Sequence, residues 1–244
     1  MNINEIKIFT SHVNGWLTDR EGELLYHLAE KCTGRGVIVE IGSWQGKSTI
    51  WLGLGSKSGK GIKVYAIDPH TGAPENGEDY GKIWTYDQFK KNITDAKIDD
   101  LIEPMVMTSE KAANNFDVPV ELIFIDGVHQ YDFVKLDFEL WFPKLIDGGT
   151  MVFHDTTSYE GPKRVVEEFV FNSRNFRNAG FVDSITFAEK IKNNSIKDRI
   201  HNKFILAIKN IYQWFGQIKL PKAMRQIMKF TGIKLIKIIQ QFIL

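Results

Sequence analysis

Apolar residues fall along this chain in two alternating patterns. Short runs rich in β-branched residues recur: Val37-Ile38-Val39-Glu40-Ile41, Lys63 to Ile67, Ile102 to Met107, Val120 to Asp126 and Thr150 to Phe153. Nearly uncharged runs of this length fit strands buried on both faces. Between them, apolar residues recur at three- and four-residue spacing, as on one face of a helix. Thr18-Asp19-Arg20-Glu21 reads as a capping box opening a helix to about Cys32, with Leu24, Leu25, Leu28 and Ala29 on one face. Further helices are expected from Thr49, over 86–96 and 110–114, over 131–142 with Val134, Phe138 and Trp141 inward, and over 163–171. Phe9, Val13 and Trp16 predict a short helix, packed over the cofactor cleft or into the core. Five strand–helix alternations predict an α/β fold with a doubly wound, mostly parallel sheet. Pro104 marks the third strand as an edge. Pro143 to Gly149 reads as a turn, and Phe181 to Phe187 as one or two short closing strands.

Charge changes this picture at one end. The chain of 244 residues has a net charge of only +1. Residues 197–244 carry ten Lys/Arg and one acid, a net +9, which leaves 1–196 at −8 with 21 bases and 29 acids. In the basic segment, Ile200, Phe204, Ile208, Ile211, Phe215 and Ile218 recur at helical spacing, Pro221 interrupts, and a second lysine-rich apolar segment follows. Two basic amphipathic helices are expected, forming a tail over 193–244 behind a domain of 1–192 whose first 35 residues are a helical cap. Such helices suit packing on the acidic body or on a second copy in a homo-oligomer, or lying on an anionic membrane surface. Nucleic acid is not expected, since it would leave the apolar faces unused.

The single Cys32 excludes an internal disulfide and fits a reducing compartment. Met1-Asn2-Ile3-Asn4-Glu5 lacks the basic and apolar regions of a secretion signal, and no apolar run reaches the roughly 18 residues of a spanning helix. A cytoplasmic protein, peripheral at a membrane if the tail binds one, is expected.

The candidate chemistry lies at strand ends. After the first strand comes Glu40-Ile41-Gly42-Ser43-Trp44-Gln45-Gly46-Lys47-Ser48-Thr49. A strand, a glycine turn and a helix N-terminus form a cradle for a polar cofactor. Gly42 permits a sharp turn and Gly46 a close approach to ligand. The spacing is neither GxGxxG nor that of a phosphate loop. Glu40, at a strand end, suits a ligand bearing ammonium and sulfonium charge. Asp68 ends the second strand, where ribose hydroxyls are held. Asp126 and His129 follow the fourth strand, and His154 and Asp155 the fifth. Two aspartates are hard donors suited to Mg²⁺. His154 is a candidate third ligand, better matched to Mn²⁺, Fe²⁺ or Zn²⁺. His129 can serve as a base near neutral pH.

The ExGxxxG pattern resembles the first motif of class I S-adenosylmethionine-dependent methyltransferases. Asp126-Gly127-Val128-His129-Gln130-Tyr131, Asp137, Trp141, Leu145, Gly148-Gly149 and His154-Asp155 resemble the branch containing macrocin-type O-methyltransferases and cephalosporin hydroxylase-like proteins. The resemblance covers roughly 14–191 and implies a seven-stranded Rossmann-like methyltransferase fold. It implies S-adenosylmethionine bound by Glu40, Gly42, Ser43, Gly46, Ser48, Asp68, Ser109 and Asp126. It implies a metal, Mg²⁺ first and Mn²⁺ second, on Asp126 and Asp155, with His154 where related metal-dependent enzymes usually carry an acid. It implies His129 as base, assisted by Asp126, acting on a hydroxyl of a sugar, glycolipid or glycosylated small molecule. Two other readings of the same residues are a nicotinamide-dependent oxidoreductase and a non-catalytic cofactor-binding or membrane-associated module.

Overall fold

The structure is a computed structural model and describes residues 1–72 and 81–217. The expected substrate wall at 70–84 lies largely outside the described residues, as does the second amphipathic segment beyond 217. The chain divides into two units, 1–206 and 207–244. The first is an α/β domain.

Seven strands form one sheet: β1 (Val37–Ile41), β2 (Val64–Ile67), β3 (Ile102–Met105), β4 (Val120–Ile125), β5 (Leu145–Phe153), β6 (Phe176–Val182) and β7 (Ile185–Lys190). Their order is β3-β2-β1-β4-β5-β7-β6. The first five run parallel, and β7 pairs antiparallel with β5 and β6. The helices are α1 (Ile3–Thr10), α2 (Asp19–Glu30), α3 (Lys47–Ser58), α4 (Tyr86–Asp95), α5 (Ser109–Asn114), α6 (Tyr131–Trp141), α7 (Glu160–Val165) and α8 (Ile196–Gln217). This is the doubly wound, mostly parallel sheet that the apolar pattern predicted, with the seven strands that the resemblance implied. β4 lies at the centre and all six of its residues are buried, which is why its sequence reads as an unbroken apolar run. β3, with Pro104, is an edge.

Three local expectations needed correction. The segment at Phe9, Val13 and Trp16 is not one helix: α1 begins at Ile3 behind a capping box made by Asn2 and Glu5. Val13 is buried while Trp16 is 76% exposed. The turn expected at Pro143 to Gly149 is a short 3₁₀ turn followed directly by β5, which starts at Leu145. Leu145 pairs with Val120 and Thr150 with Leu122, so the residues between bulge out, with Gly148 at φ +83°. The bulge breaks the alternation that marks a strand in sequence. The helix expected from Lys163 begins at Glu160 and widens into a π-helical segment over Val166–Phe171.

The Thr18 capping box forms as expected. Thr18 Oγ1 accepts from the Glu21 amide at 3.2 Å, and the Thr18 amide donates to Glu21 Oε2 at 2.8 Å. It starts α2, which packs along α3. The approach is close because Gly55 of α3 has no side chain: a Cβ there would lie 2.2 Å from the Tyr26 carbonyl oxygen. Replacing a helical glycine by alanine ordinarily stabilises by up to about 1 kcal/mol. Here the obstacle is backbone, so overpacking costing about 1–3 kcal/mol outweighs that gain. Gly55→Ala is therefore expected to lower the thermal midpoint by roughly 2–12 °C in scanning calorimetry; an unchanged or raised midpoint would contradict the packing.

Candidate active site

Four strand ends stand level. Ile67, Ile41, Ile125 and Phe153 are successive cross-strand partners. Backbone bonds carry the register past them: Gly42 N donates to Ile67 O at 2.9 Å, Asp126 N to Ile41 O at 2.9 Å and His154 N to Ile125 O at 3.0 Å. Asp68, Gly42, Asp126 and His154, each the first residue beyond its strand, therefore lie side by side along one sheet edge. Ligands of open α/β sheets bind at this edge.

Gly42 has φ +86°, and a Cβ on it would lie 2.0 Å from the Asp126 carbonyl oxygen. Its lack of a side chain lets two strand ends touch. Gly46 caps α3 at φ +88° without a capping side chain. A Cβ there would lie 3.2 Å from Phe89 Cδ2, so backbone conformation and packing on α4 already favour glycine here.

The other residues expected at a cofactor separate into two groups. Asp68 and Ser43 sit at the glycine turn. Asp68 Oδ2 accepts from Trp44 N at 2.7 Å and its Oδ1 from His70 N at 2.6 Å. These bonds brace the turn and leave each oxygen capacity for a second donor. Ser43 is buried and its Oγ has no hydrogen-bond partner. Glu40 is fully buried beneath the turn, with Oε2 accepting from Thr49 Oγ1 and Oε1 unpartnered. Burial pushes the Glu40 carboxyl up to about 8, only partly opposed by the Ser48 and Thr49 hydroxyls. Desolvation disfavours its charged form. The Ser48 hydroxyl serves Glu40. Ser109 Oγ accepts from the Trp141 indole at 2.8 Å and serves the buried Asp137, tying α5 to α6.

The acid and imidazole groups meet in one cluster. His154 Nδ1 lies 3.0 Å from Asp126 Oδ1 and 3.2 Å from Asp155 Oδ2. His154 Nε2 lies 3.5 Å from Glu21 Oε2. These are ion-pair distances without hydrogen-bond alignment. His129 Nε2 is 3.2 Å from Asp155 Oδ2, and its ring stacks on Tyr159 at 4.1 Å and 14°. Asp155 has φ +56°, a left-handed conformation that holds its carboxylate between the two imidazoles.

The electrostatics follow from this crowding. Burial opposes charge on His154, but Asp126, Asp155 and Glu21 more than reverse that and raise its pKa to about 12. Burial raises Asp126, with His154 pulling the other way. Burial would raise Asp155 too, yet the His129 and His154 imidazoles beside it hold it well below the usual carboxylate range. One ligand atom from each of Asp126, His154 and Asp155 lies within 4.8 Å of the others. Two carboxylates and one imidazole fit a borderline divalent ion such as Mn²⁺ better than Mg²⁺.

Two participants escaped the sequence reading. Glu21 had been assigned only its capping role. Its Oε1 also accepts from Ser184 N at 2.8 Å and Ser184 Oγ at 2.6 Å, on the turn between β6 and β7. Arg20 and Thr18 bond Asp183 on the same turn, at 2.6 and 2.9 Å. The cap helix is thereby pinned beside His154. Nothing local signals this, since the partners are more than 160 residues away. Tyr159 lacks any motif.

Residues 39–156 match the family model described as a methyltransferase domain. An uncharacterized protein of Sinorhizobium fredii, y4gI, is 30% identical over 132 residues, 49% of this chain but 13% of the relative. The chain thus spans about an eighth of that relative's length. Among solved structures, the O-methyltransferase NovP aligns with a TM-score of 0.62 at 16% identity, covering 71% of this chain and 81% of that one. A Corynebacterium glutamicum protein aligns at 0.59 and 15% identity, covering 79% and 90%. An O-methyltransferase from Bacillus cereus, solved in complex with SAH, aligns at 0.54 and 21% identity, covering 77% and 90%. At these identities the likeness is one of fold. The fold is that of class I methyltransferases, and the match to the methyltransferase-domain model is confined to residues 39–156; the macrocin-type branch is a finer assignment than these matches reach.

Burial raises the Glu21 pKa, but His154 and Ser184 outweigh it and bring it down to about 2. Its ordinary value is 4.5, so the stability it contributes is complete above pH 4.5 and is lost as pH falls toward 2. Glu21→Gln leaves His154 short of one carboxylate and turns an amide N–H₂ toward other donors. It is expected to cost roughly 2–4 kcal/mol at pH 7 and to flatten the acid limb of a thermal-midpoint profile between pH 5 and 2. An acid limb as steep as wild type would remove Glu21 from the network.

Proposed function

We propose that this domain is an S-adenosylmethionine-dependent O-methyltransferase whose base is His129, acting on a sugar hydroxyl with help from a divalent ion. The observation that carries the reading is the His129–Asp155 pair, at 3.2 Å, at the same sheet edge as the Gly42 turn. A base with an orienting carboxylate is what deprotonation of an alcohol needs.

Bound S-adenosylmethionine supplies a methyl group on a sulfonium, already a good leaving group. The difficulty is the nucleophile, because an alcohol is hardly ionised near pH 7. His129 takes the hydroxyl proton as the oxygen–methyl bond forms. Asp155 and the Tyr159 ring hold the imidazole in place, and the carboxylate stabilises the imidazolium that results. The Gly42 turn, braced by Asp68, gives the donor a rigid floor, and the unpartnered Ser43 Oγ and Glu40 Oε1 leave acceptor capacity beneath it. A rigid floor holds methyl and oxygen in line, which supplies much of the remaining rate.

A divalent ion held by Asp126, His154 and Asp155 would supply Lewis acidity that lowers the pKa of an alcohol. Glu21 beside His154 Nε2 supports that assignment, because a ligating imidazole commonly faces a carboxylate through its other nitrogen. The carboxylates that hold a proton on His154 compete with the ion, so affinity for Mn²⁺ is expected to rise with pH. A pH-independent affinity by calorimetric titration would exclude His154 as a ligand.

His129→Ala is expected to bind S-adenosylhomocysteine as wild type does and to lose about 10²- to 10⁴-fold in methyl transfer to a glycosylated acceptor. Transfer at the wild-type rate would remove His129 from the mechanism. Binding of NAD in place of S-adenosylhomocysteine would replace the reading with an oxidoreductase, and binding without transfer to any hydroxyl would leave a cofactor-binding module.

A further inference from the structure

Helix α8 carries its apolar residues on the wrong side for folding. Ile196, Ile200 and Phe204 are 69%, 66% and 51% exposed. At about 100° per residue, these three lie within about 80° of one another. The buried side is set by different residues. Asn202 is fully buried, its Nδ2 donating to Phe176 O at 3.0 Å and its Oδ1 accepting from Ala179 N at 3.2 Å. Ile205 is buried beside it, and His201 Nε2 lies 3.0 Å from Ala179 O. These contacts cover β6, the edge strand, and satisfy backbone groups that an edge leaves open. They also fix the rotation of α8 so that its apolar stripe faces away from the sheet. An amphipathic helix whose only task were packing would turn that stripe inward.

We propose that this stripe docks the protein on an anionic lipid surface. Charge selects the occupant. Exposed Lys197 and Lys203 flank the stripe, Lys203 also reaching Asn172 Oδ1. The chain from 218 onward adds six Lys/Arg and no acid, interleaved with apolar residues. Residues 1–196 are net −8, so an anionic surface repels the body and attracts this end alone, which orients the molecule. A second copy seated on the same stripe would bring two segments of net +9 together. Nucleic acid would meet isoleucine and phenylalanine at the centre of the face, where phosphate contacts need Lys or Arg. An interfacial helix wants this arrangement, with apolar side chains in the acyl boundary and cations at headgroup level. No helix among the described residues is long and apolar enough to cross a membrane.

The test is flotation of the full chain with phosphatidylcholine vesicles, with and without phosphatidylglycerol. Wild type is expected to float with the anionic vesicles alone and to be released by salt. The Ile200→Glu/Phe204→Glu variant is expected to keep the wild-type thermal midpoint, since both side chains are exposed, and to partition at least about tenfold less, as loss of two buried apolar side chains requires. Lys197→Gln is expected to weaken binding about fivefold. Flotation of the double variant equal to wild type overturns the proposal, as does no flotation of wild type. So does a concentration-dependent dimer, or retention on immobilised DNA or RNA, that the double variant abolishes. Methyl transfer to a soluble acceptor reads the catalytic assignment separately.

Discussion

The site depends on two strand ends being in contact. Gly42 and the Asp126 carbonyl meet at a distance that admits no Cβ, and the level register from Ile67 through Ile41 and Ile125 to Phe153 follows across the sheet. With those four ends level, Asp68, Gly42, Asp126 and His154 share one edge although Gly42 and His154 are 112 residues apart in sequence. Any widening there would separate the Gly42 turn from the acid–imidazole cluster. The turn is braced from the next strand by Asp68, whose two carboxylate oxygens hold the amides of Trp44 and His70.

A second constraint is charge. Three carboxylates face one imidazole at His154, and a fourth contact joins His129 to Asp155. Such a cluster is costly to bury unless its members are mutually compensating. The compensation here comes from opposite ends of the chain. Glu21 arrives from α2 and is held in turn by Ser184 between β6 and β7. The N-terminal helix and the closing hairpin are therefore part of the site's electrostatics as well as its cover. The same logic explains why Glu40, buried with hydroxyls rather than cations, is pushed toward neutrality while Glu21, equally buried, is held ionised.

The amino-acid sequence determined the architecture and the identity of the chemical groups. Apolar periodicity located all five parallel strands and most helices, because a strand buried on both faces cannot be written any other way. Glycine spacing and the acids at strand ends pointed to one edge, because connections in a parallel sheet return their loops to the same side. Tertiary structure alone decided the rest. It drew Glu21 to His154, since an ion pair across more than 130 residues leaves no local mark. It spent Ser109 on Trp141 and Asp137, and turned Gly46 toward Phe89. It also chose which side of α8 is covered: the hydrogen-bonding needs of an edge strand buried Asn202 and left the isoleucine stripe outside, a preference that hydrophobic periodicity does not encode.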